Sequence, residues 1–317
     1  MDLIYRIPDK TNWPTEFING IFNSDALEFL KKLPDECIAL IVTSPPYWNI
    51  KDYEHPKQIG QAEYERYLND LLVIWQESER ILIPNGKLAT VTPIMPISKK
   101  DYNKSHTRHI KNISNDIEQT ILSNTRLLRY SLLIWQKQTS EKMFGSYPYP
   151  PNIYEDNTIE FINVFVKHGK PPSIPKDAKG PSKLTQVEWV NLTMQVWPIY
   201  PADIKRATGH PAPFPIVLPQ RLIMMYTFKS ALTVGFEGDI VLDMFNGTGA
   251  TCIAAKVLER HYIGIDLNDN YCNIAKNRLD YVNENSGESV DPYGILLEKN
   301  RVKRPKNSRE IHLPNIQ

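Results

Sequence analysis

The sequence predicts an α/β protein built on a doubly wound, mostly parallel sheet. In the last third of the chain, strand-like and helix-like segments alternate, which is typical of parallel sheets. In the first half, an apolar run at residues 37–42 ends at two consecutive prolines, which cannot continue a sheet ladder and so begin a rigid loop. With 317 residues, the chain is long enough for one large domain or for a domain with an insertion.

The first predicted strand covers residues 37–42, and a helix is predicted at residues 64–81. In that helix, apolar side chains recur at helical spacing, at Tyr64, Tyr67, Leu68, Leu71, Leu72 and Trp75. Pro84, Asn85 and Gly86 end it, and further strands are predicted at residues 87–91, 128–135 and 159–166. The last third adds strands at residues 239–245 and 261–267, each followed by a helix, at residues 250–259 and 268–279.

The charge balance limits how this chain can bind a polyanion. Its net charge is only +1, so a phosphate-rich partner would need a local basic patch. Residues 98–112 are basic, residues 167–183 combine Lys with Pro and Gly as in a loop or the edge of an inserted subdomain, and residues 299–309 form a basic tail. The candidate phosphate contacts are Lys99, Lys100, Lys104, Arg108, Lys170, Lys176 and Lys179.

Composition also disfavours several protein classes. No apolar run approaches the roughly 18 residues that span a bilayer, and the first residues do not resemble a signal peptide, so we expect a cytoplasmic protein without a membrane partner. The three cysteines, Cys37, Cys252 and Cys272, form no CxxC motif, which predicts neither disulfides nor a zinc site. His106 and His109 lack accompanying carboxylate or thiol ligands, so we expect no metal.

Residues 243–249 (Asp-Met-Phe-Asn-Gly-Thr-Gly), here called the glycine loop, join a predicted strand to a predicted helix. Glycine lets the backbone approach a ligand and turn its N–H groups toward it. Asp266 ends the next strand, 19 residues after Gly247, the spacing at which an acid accepts hydrogen bonds from a ribose. No P-loop lysine follows, and Cys252 replaces the third glycine of a dinucleotide fingerprint. The loop predicts a nucleoside cofactor, the alternative being a purely structural turn.

Residues 44–47, here called the proline loop, follow the first strand, where α/β folds place ligands. The hydroxyl of Ser44 and the carbonyl of Pro45 can accept hydrogen bonds from the exocyclic amine of a base. This amine is a weak nucleophile because its lone pair is delocalised, and two acceptors favour the tetrahedral form that can react. Pro45 and Pro46 stiffen the loop, and Tyr47 offers a flat face for an extruded base. The alternative is a Pro-Pro turn with a surface tyrosine.

Together, the stretch Thr43-Ser44-Pro45-Pro46-Tyr47-Trp48 and the glycine loop resemble the amino-group DNA methyltransferases of bacterial restriction–modification systems. The proline loop precedes the glycine loop, as in the beta group of that family. Residues 22–27, 82–87 and 210–215 are also similar, and the resemblance extends from about residue 17 to residue 279. Met244 stands where the family often has Pro, and Asn85 where it often has Gly; neither change removes a functional group.

The resemblance implies a Rossmann-like, seven-stranded sheet whose seventh strand is antiparallel, with an inserted target-recognition region. Residues 1–167 and 210–282 would form the catalytic domain, residues 168–209 the target-recognition region, and residues 283–317 a basic tail. The implied reaction transfers a methyl group from S-adenosylmethionine to double-stranded DNA. The residues implied to surround this cofactor are Asp25, His210, Pro213, Phe214, Asp243, Phe245, Asn246, Gly247, Thr248, Gly249 and Asp266.

The serine form of the proline loop favours cytosine N4 as the target, because adenine-N6 members more often begin this motif with Asp. The physical chemistry of the loop does not decide between the two amines. The basic residues named above would contact DNA, a cognate restriction endonuclease would act in the same system without a stable complex, and the cell would be bacterial or archaeal.

Three other functions are disfavoured by the sequence. Cytosine-C5 methylation needs a nucleophilic cysteine, usually after proline, and none of the three cysteines follows one. RNA and protein-glutamine methyltransferases also use a proline-proline-aromatic loop, but they typically place the glycine loop before it. A DNA-binding protein that has lost catalysis is the third alternative, although both loops are chemically intact.

Overall fold

The computed structural model describes residues 13–48, 55–61, 63–97, 109–137, 144–146, 148–155, 157–199 and 214–284. The strands are β1 (Gly20–Asn23), β2 (Ile38–Thr43), β3 (Leu82–Thr92), β4 (Met95–Ile97), β5 (His109–Lys111), β6 (Leu127–Lys137), β7 (Phe144–Gly145), β8 (Ile153–Tyr154), β9 (Ile159–Lys167), β10 (Val196–Ile199), β11 (Ile240–Asp243) and β12 (His261–Asp266). The α-helices are α1 (Ala26–Leu30), α2 (Tyr64–Ile81), α3 (Ile113–Asn124), α4 (Gln186–Leu192), α5 (Val217–Tyr226), α6 (Ala250–Val257) and α7 (Asp269–Glu284).

One eight-stranded sheet has the order β1-β12-β11-β2-β3-β9-β6-β10. Strand β9 runs antiparallel to β3 and β6, and every other neighbouring pair in this sheet is parallel. This confirms the predicted doubly wound, mostly parallel sheet with one antiparallel strand. The sheet has one strand more than the seven predicted, because β10, with its fully buried Trp197, pairs in parallel with the outer side of β6.

Helices cover both faces of the sheet, and the buried strand residues alternate between them. Val241 packs with α5, α6 and α7, whereas its neighbours Ile240 and Leu242 pack with α1, α2 and α3. All six residues of the central strand β2 are buried, as expected for a parallel strand covered on both sides. No helix in the described ranges is long and apolar enough to cross a membrane.

The predicted helix at residues 64–81 is confirmed as α2, with Trp75 fully buried. The next strand begins earlier than predicted, at Leu82, and runs through Asn85, whose φ of 65° is a left-handed conformation that Asn tolerates. Helix α5 was not predicted from the sequence. Its residues 218–224 are all buried, so it lacks the alternation of polar and apolar faces that reveals a surface helix.

The two edges at which strands begin and end matter for function. We call the edge where β2, β11 and β12 end the carboxyl edge, and the opposite edge the amino edge. Antiparallel β9 ends at the amino edge, where Lys167 Nζ donates to the carbonyl of Leu82 at 2.7 Å. The residues that follow pack there: Ile174 lines a cavity with Cys37 and Ile240, which lie at the starts of β2 and β11.

The predicted target-recognition region, residues 168–209, therefore starts at the amino edge. Its described part continues through α4 and enters the main sheet as β10, which runs parallel to β6 and ends at the carboxyl edge with Ile199. The carbonyl of Ile199 accepts a hydrogen bond from Trp135 Nε1 at 2.8 Å. The predicted basic tail lies outside the described residues from residue 285 onward.

Candidate active site at the carboxyl edge of the sheet

The proline loop and the glycine loop meet where the winding of the sheet reverses. Strand β2 leads to β3 on one side and β11 leads to β12 on the other, so a crevice opens between the ends of β2 and β11. There, Thr43 Oγ1 donates a hydrogen bond to Asp243 Oδ1 at 2.7 Å, although 200 residues separate them in sequence. Two motifs from opposite ends of the chain thus form one site.

Asp243 holds both loops in place. Its second oxygen accepts from Thr251 Oγ1 of α6 at 2.7 Å, and Oδ1 also accepts from the backbone N–H of Phe245 at 3.1 Å. Burial raises the pKa of Asp243 to about 6, against the opposing effect of the hydrogen bonds from Thr251 and Thr43. Asp243 has no exposed surface. It fixes the loops from behind, and its predicted contact with the cofactor stays a prediction.

The backbone of the glycine loop requires its glycines. Gly247 has a φ of 48° and Gly249 a φ of 88°, both in the left-handed region. A Cβ on Gly249 would also stand 2.8 Å from the Cβ of Ala275 in α7. From the same helix, the buried guanidinium of Arg278 donates to the carbonyl of Thr248. Helix α7 therefore supports the conformation of the glycine loop, and the loop lines the cleft.

Asp266 lies at the end of β12, opposite the glycine loop. Its Oδ2 accepts from the N–H of Gly247 at 2.7 Å, and its Oδ1 accepts from the N–H of Asn268 at 2.9 Å. Burial raises the pKa of Asp266, while these backbone hydrogen bonds act in the opposite direction. Each oxygen keeps a lone pair for a further donor, such as a ribose hydroxyl. Nearby, Asp25 caps α1 by accepting from the N–H of Glu28 at 3.1 Å.

The proline loop is anchored on both sides of its prolines. The carbonyl of Pro46 accepts from Tyr67 Oη of α2 at 2.8 Å, and Ser44 Oγ lies 3.0 Å from the carbonyl of Val91 and 2.9 Å from Tyr47 Oη. The expected free face of Tyr47 is not found: the residue is 4% exposed because its ring packs into the core beneath the loop. What Tyr47 contributes near the cleft is its hydroxyl.

An open cleft with about 920 Å³ of empty space connects the two loops. Predicted site residues that line it are Asp25, Ser44, Pro46, Phe214, Phe245, Asn246, Gly247, Thr248 and Asp266. Four others, Pro45, Tyr47, Asp243 and Gly249, are not part of its lining.

Sequence reasoning missed part of the cleft wall. His55, Lys57, Gln58 and Ile59 line it from the segment before α2, and Tyr271 lines it from α7. One signal was available in the sequence: a glycine, Gly60, directly follows this segment. A Cβ there would stand 2.7 Å from the Cα of Trp48, so the segment packs closely on the residue that directly follows the proline loop.

Several predicted residues lie elsewhere. His210, Pro213, Lys99, Lys100, Lys104 and Arg108 lie outside the described residues. Lys170, Lys176 and Lys179 are exposed, but they follow β9 at the amino edge. A strand of six residues is about 20 Å long, so these three lysines lie across the sheet from the cleft. Their predicted contact with DNA stays a prediction, and a contact from this edge would lie on the opposite side of the sheet from the cleft.

Comparison with known proteins decides the family. The N6/N4 DNA methylase model matches residues 38–277, most of the chain and both loops. This chain belongs to that family of DNA methylases. The methylase is 26% identical over 302 residues to the type II methyltransferase M.MthZI of Methanothermobacter thermautotrophicus, covering 86% of this chain and 81% of the relative.

Solved structures agree with this assignment. The putative DNA modification methylase TTHA0409 of Thermus thermophilus, complexed with S-adenosyl-L-methionine, is 28% identical, with a TM-score of 0.67 over 85% of this chain and 95% of that one. The cytosine-N4-specific PvuII DNA methyltransferase shares the fold at 18% identity, with a TM-score of 0.60 over 81% of this chain and 84% of that one.

The methylase is thus an S-adenosylmethionine-dependent DNA amino methyltransferase of the restriction–modification type. The cleft fits that cofactor. The oxygens of Asp266 keep acceptor lone pairs beside the glycine loop, which suits a ligand that carries hydroxyl groups. The amide of Asn246 packs inward, and its Oδ1 accepts from Cys252 Sγ at 3.1 Å. Phe214 and Phe245 add apolar surface, and the three cysteines are buried, as expected for packing residues.

Proposed function

We propose that this methylase modifies the exocyclic N4 of cytosine in duplex DNA and is the modification enzyme of a restriction–modification system. The observation that carries the choice of base is the surroundings of Ser44. Its Oγ lies 3.0 Å from the carbonyl of Val91, to which a hydroxyl can donate. The carboxylate of an Asp at this position would face that carbonyl without a proton. The site therefore suits the serine form of the loop, which resembles cytosine-N4 enzymes.

In this proposal, the cofactor lies along the glycine loop. Asp266 accepts from the ribose hydroxyls, Asp25 lies near the adenine, and the glycines of the loop let its backbone approach the ligand closely. The N–H groups of Phe245, Asn246, Gly247 and Gly249 are already bonded within the protein. When bound, S-adenosylmethionine supplies the methyl group from its sulfonium. The flipped cytosine enters beside Ser44, whose Oγ accepts from the amine together with the carbonyl of Pro45. These acceptors direct the nitrogen lone pair toward the methyl group.

DNA contact in this proposal falls to the first basic segment. Lys99, Lys100, Lys104 and Arg108 lie in the chain between β4 and β5, and β4 begins three residues after β3 ends. Strand β4, after which the segment begins in the sequence, therefore follows closely on the carboxyl end of β3. The target-recognition region stays proposed at residues 168–209, and its last part leaves β10 at the same edge.

Product analysis tests the choice of base. Duplex DNA is methylated with the purified enzyme, digested to nucleosides and analysed by mass spectrometry. We expect N4-methylcytosine. Because adenine N6 needs the same two acceptors, N6-methyladenine is the outcome that would overturn the assignment of the base while leaving the family and cofactor unchanged.

A further inference from the structure

A chain of hydrogen bonds leads from Ser44 into the protein. Ser44 Oγ lies 2.9 Å from Tyr47 Oη, and Tyr47 Oη donates to Glu160 Oε2 at 3.0 Å. The other oxygen of Glu160 accepts from Lys137 Nζ, also at 3.0 Å. Glu160 is 8% exposed and Tyr47 is 4% exposed. Ordered contacts therefore link the cleft to a buried carboxylate that no motif of the sequence indicates.

The fold builds this chain from three separate elements. Tyr47 belongs to the proline loop, Glu160 is the second residue of antiparallel β9, and Lys137 is the last residue of β6. Because β9 runs opposite to its neighbours, its beginning lies at the carboxyl edge, next to the proline loop. A charged carboxylate is rarely buried without a function or a partner, and Glu160 has Lys137 as its ion-pair partner at 3.0 Å.

Methylation of an amine leaves one proton too many. The nitrogen lone pair forms the new N–C bond, the electrons of the S–C bond leave with sulfur, and the nitrogen becomes positively charged with both original hydrogens. One of them must depart to give the neutral product. Ser44 and the carbonyl of Pro45 are the proposed hydrogen-bond acceptors, but a neutral hydroxyl and an amide are too weakly basic to keep the proton.

We propose that Glu160 receives this proton through Ser44 and Tyr47. The amine gives a proton to Ser44 Oγ, Ser44 gives its own to Tyr47 Oη, and Tyr47 gives its own to Glu160 Oε2. Ser44 and Tyr47 end as neutral hydroxyls, and Glu160 ends as a carboxylic acid that later loses the proton to solvent. Lys137 holds the carboxylate in position and stabilises its charged form before transfer.

The direction of the hydrogen bonds agrees with this relay. An ionised Glu160 can only accept, so Tyr47 must donate to it and is left able to accept from Ser44. Ser44 has one proton, shared between Tyr47 and the carbonyl of Val91, and its lone pairs are available to the substrate amine. Taking up the proton as charge develops on nitrogen is general base catalysis, typically worth about 100-fold or more in rate.

The inference rests on the proposed amine methylation, and Glu160→Gln tests it. Glutamine keeps the size of the side chain but cannot accept the proton. We expect the single-turnover rate of methyl transfer, measured with labelled cofactor, to fall about 100-fold, with little change in the dissociation constants of cofactor and DNA. Tyr47→Phe should lower the single-turnover rate by a similar factor. The double variant should be no slower than the slower of the two single variants, because each substitution interrupts the same relay.

A conservative variant separates a relay from a merely structural role. Among the described residues, the titratable side chains bonded to Glu160 are Tyr47 and Lys137, and its cross-strand neighbour on β6 is Trp135. Glu160→Asp shortens the side chain but keeps a carboxylate that can take up the proton, so it should retain more of the single-turnover rate than Glu160→Gln. A Gln variant as fast as the Asp variant would overturn the relay, as would a loss in Glu160→Gln smaller than about threefold.

A matched control comes from another largely buried glutamate, whose arginine partner is exposed. Glu79 of α2 pairs with Arg126 at 2.8 Å, and its side chain is 13% exposed against 10% for Glu160. Glu79→Gln removes the same charge far from the proline loop and should leave the rate unchanged. Total methyl transfer is measured in every arm, so finding N6-methyladenine would refute the cytosine assignment without altering the outcome for the relay.

Discussion

Replacing Thr43 with valine tests the link between the two loops. Valine has nearly the same shape but no hydroxyl, so the change removes the 2.7 Å hydrogen bond to Asp243 and little else. Both residues are fully buried. A hydrogen bond to a charged group contributes about 1.5–3 kcal/mol to stability, whereas a bond between neutral groups contributes about 0.5–1.5 kcal/mol.

Which value applies depends on pH, because burial raises the pKa of Asp243 to about 6. A raised pKa means that the folded state binds the proton more tightly than the unfolded state. The stability from this group is therefore complete below about pH 4, its unfolded range, and is lost as the pH rises through about 6. The hydrogen bond from Thr43 favours the ionised form of Asp243. Thr43→Val should therefore raise the pKa of Asp243 further and increase the stability that is lost as the pH rises.

The free energy of unfolding should thus fall by about 1.5–3 kcal/mol at pH 8 but only by about 0.5–1.5 kcal/mol at pH 5, measured by urea denaturation. Thr90→Val is the control, because Thr90 is equally buried and its hydroxyl has no hydrogen-bond partner among the described residues. That variant should be as stable as the wild type or more stable. An equal loss at both pH values in Thr43→Val would refute the assignment of the charged acceptor.

Three further predictions concern the cofactor, the glycine loop and DNA. Asp266→Asn should weaken S-adenosylmethionine binding by about 10- to 100-fold, because charged acceptors bind the ribose more strongly; an unchanged dissociation constant by calorimetry would place the ribose acid elsewhere. Gly249→Ala should destabilise the fold by about 1–3 kcal/mol in thermal unfolding, because the backbone has a φ of 88° and the new Cβ would stand 2.8 Å from the Cβ of Ala275. Gly235→Ala is the control and should destabilise the fold less, because its φ of 73° is similar but no atom lies within 4 Å of the new Cβ. Neutral substitution of Lys99, Lys100 and Lys104 in the first basic segment should flatten the dependence of DNA affinity on salt concentration. Neutral substitution of Lys170, Lys176 and Lys179 at the amino edge should leave that dependence unchanged. Equal salt slopes for the two triple variants would contradict the proposed orientation of the DNA.

Both chemical motifs of this methylase could be read from local sequence. The glycine loop needs glycine at left-handed positions, and the proline loop needs residues that stop a strand, so each leaves a signature within a few residues. Helix α2 was visible because its apolar residues recur at helical spacing, and the strands before both loops were visible because each is a short, continuous apolar run. These features depend on neighbours along the chain.

The tertiary structure decided what depends on neighbours in space. The sequence could not show that Thr43 and Asp243 form one hydrogen bond, since strand order brings them together across 200 residues. Nor could it show that Glu160, the second residue of antiparallel β9, lies beside Tyr47, because the direction of β9 is set by its partners in the sheet. The same strand direction places Lys170 at the amino edge, a position that its charge and its place in the sequence could not show. Composition and spacing specify which groups a chain carries, but the winding of the sheet determines which edge they reach.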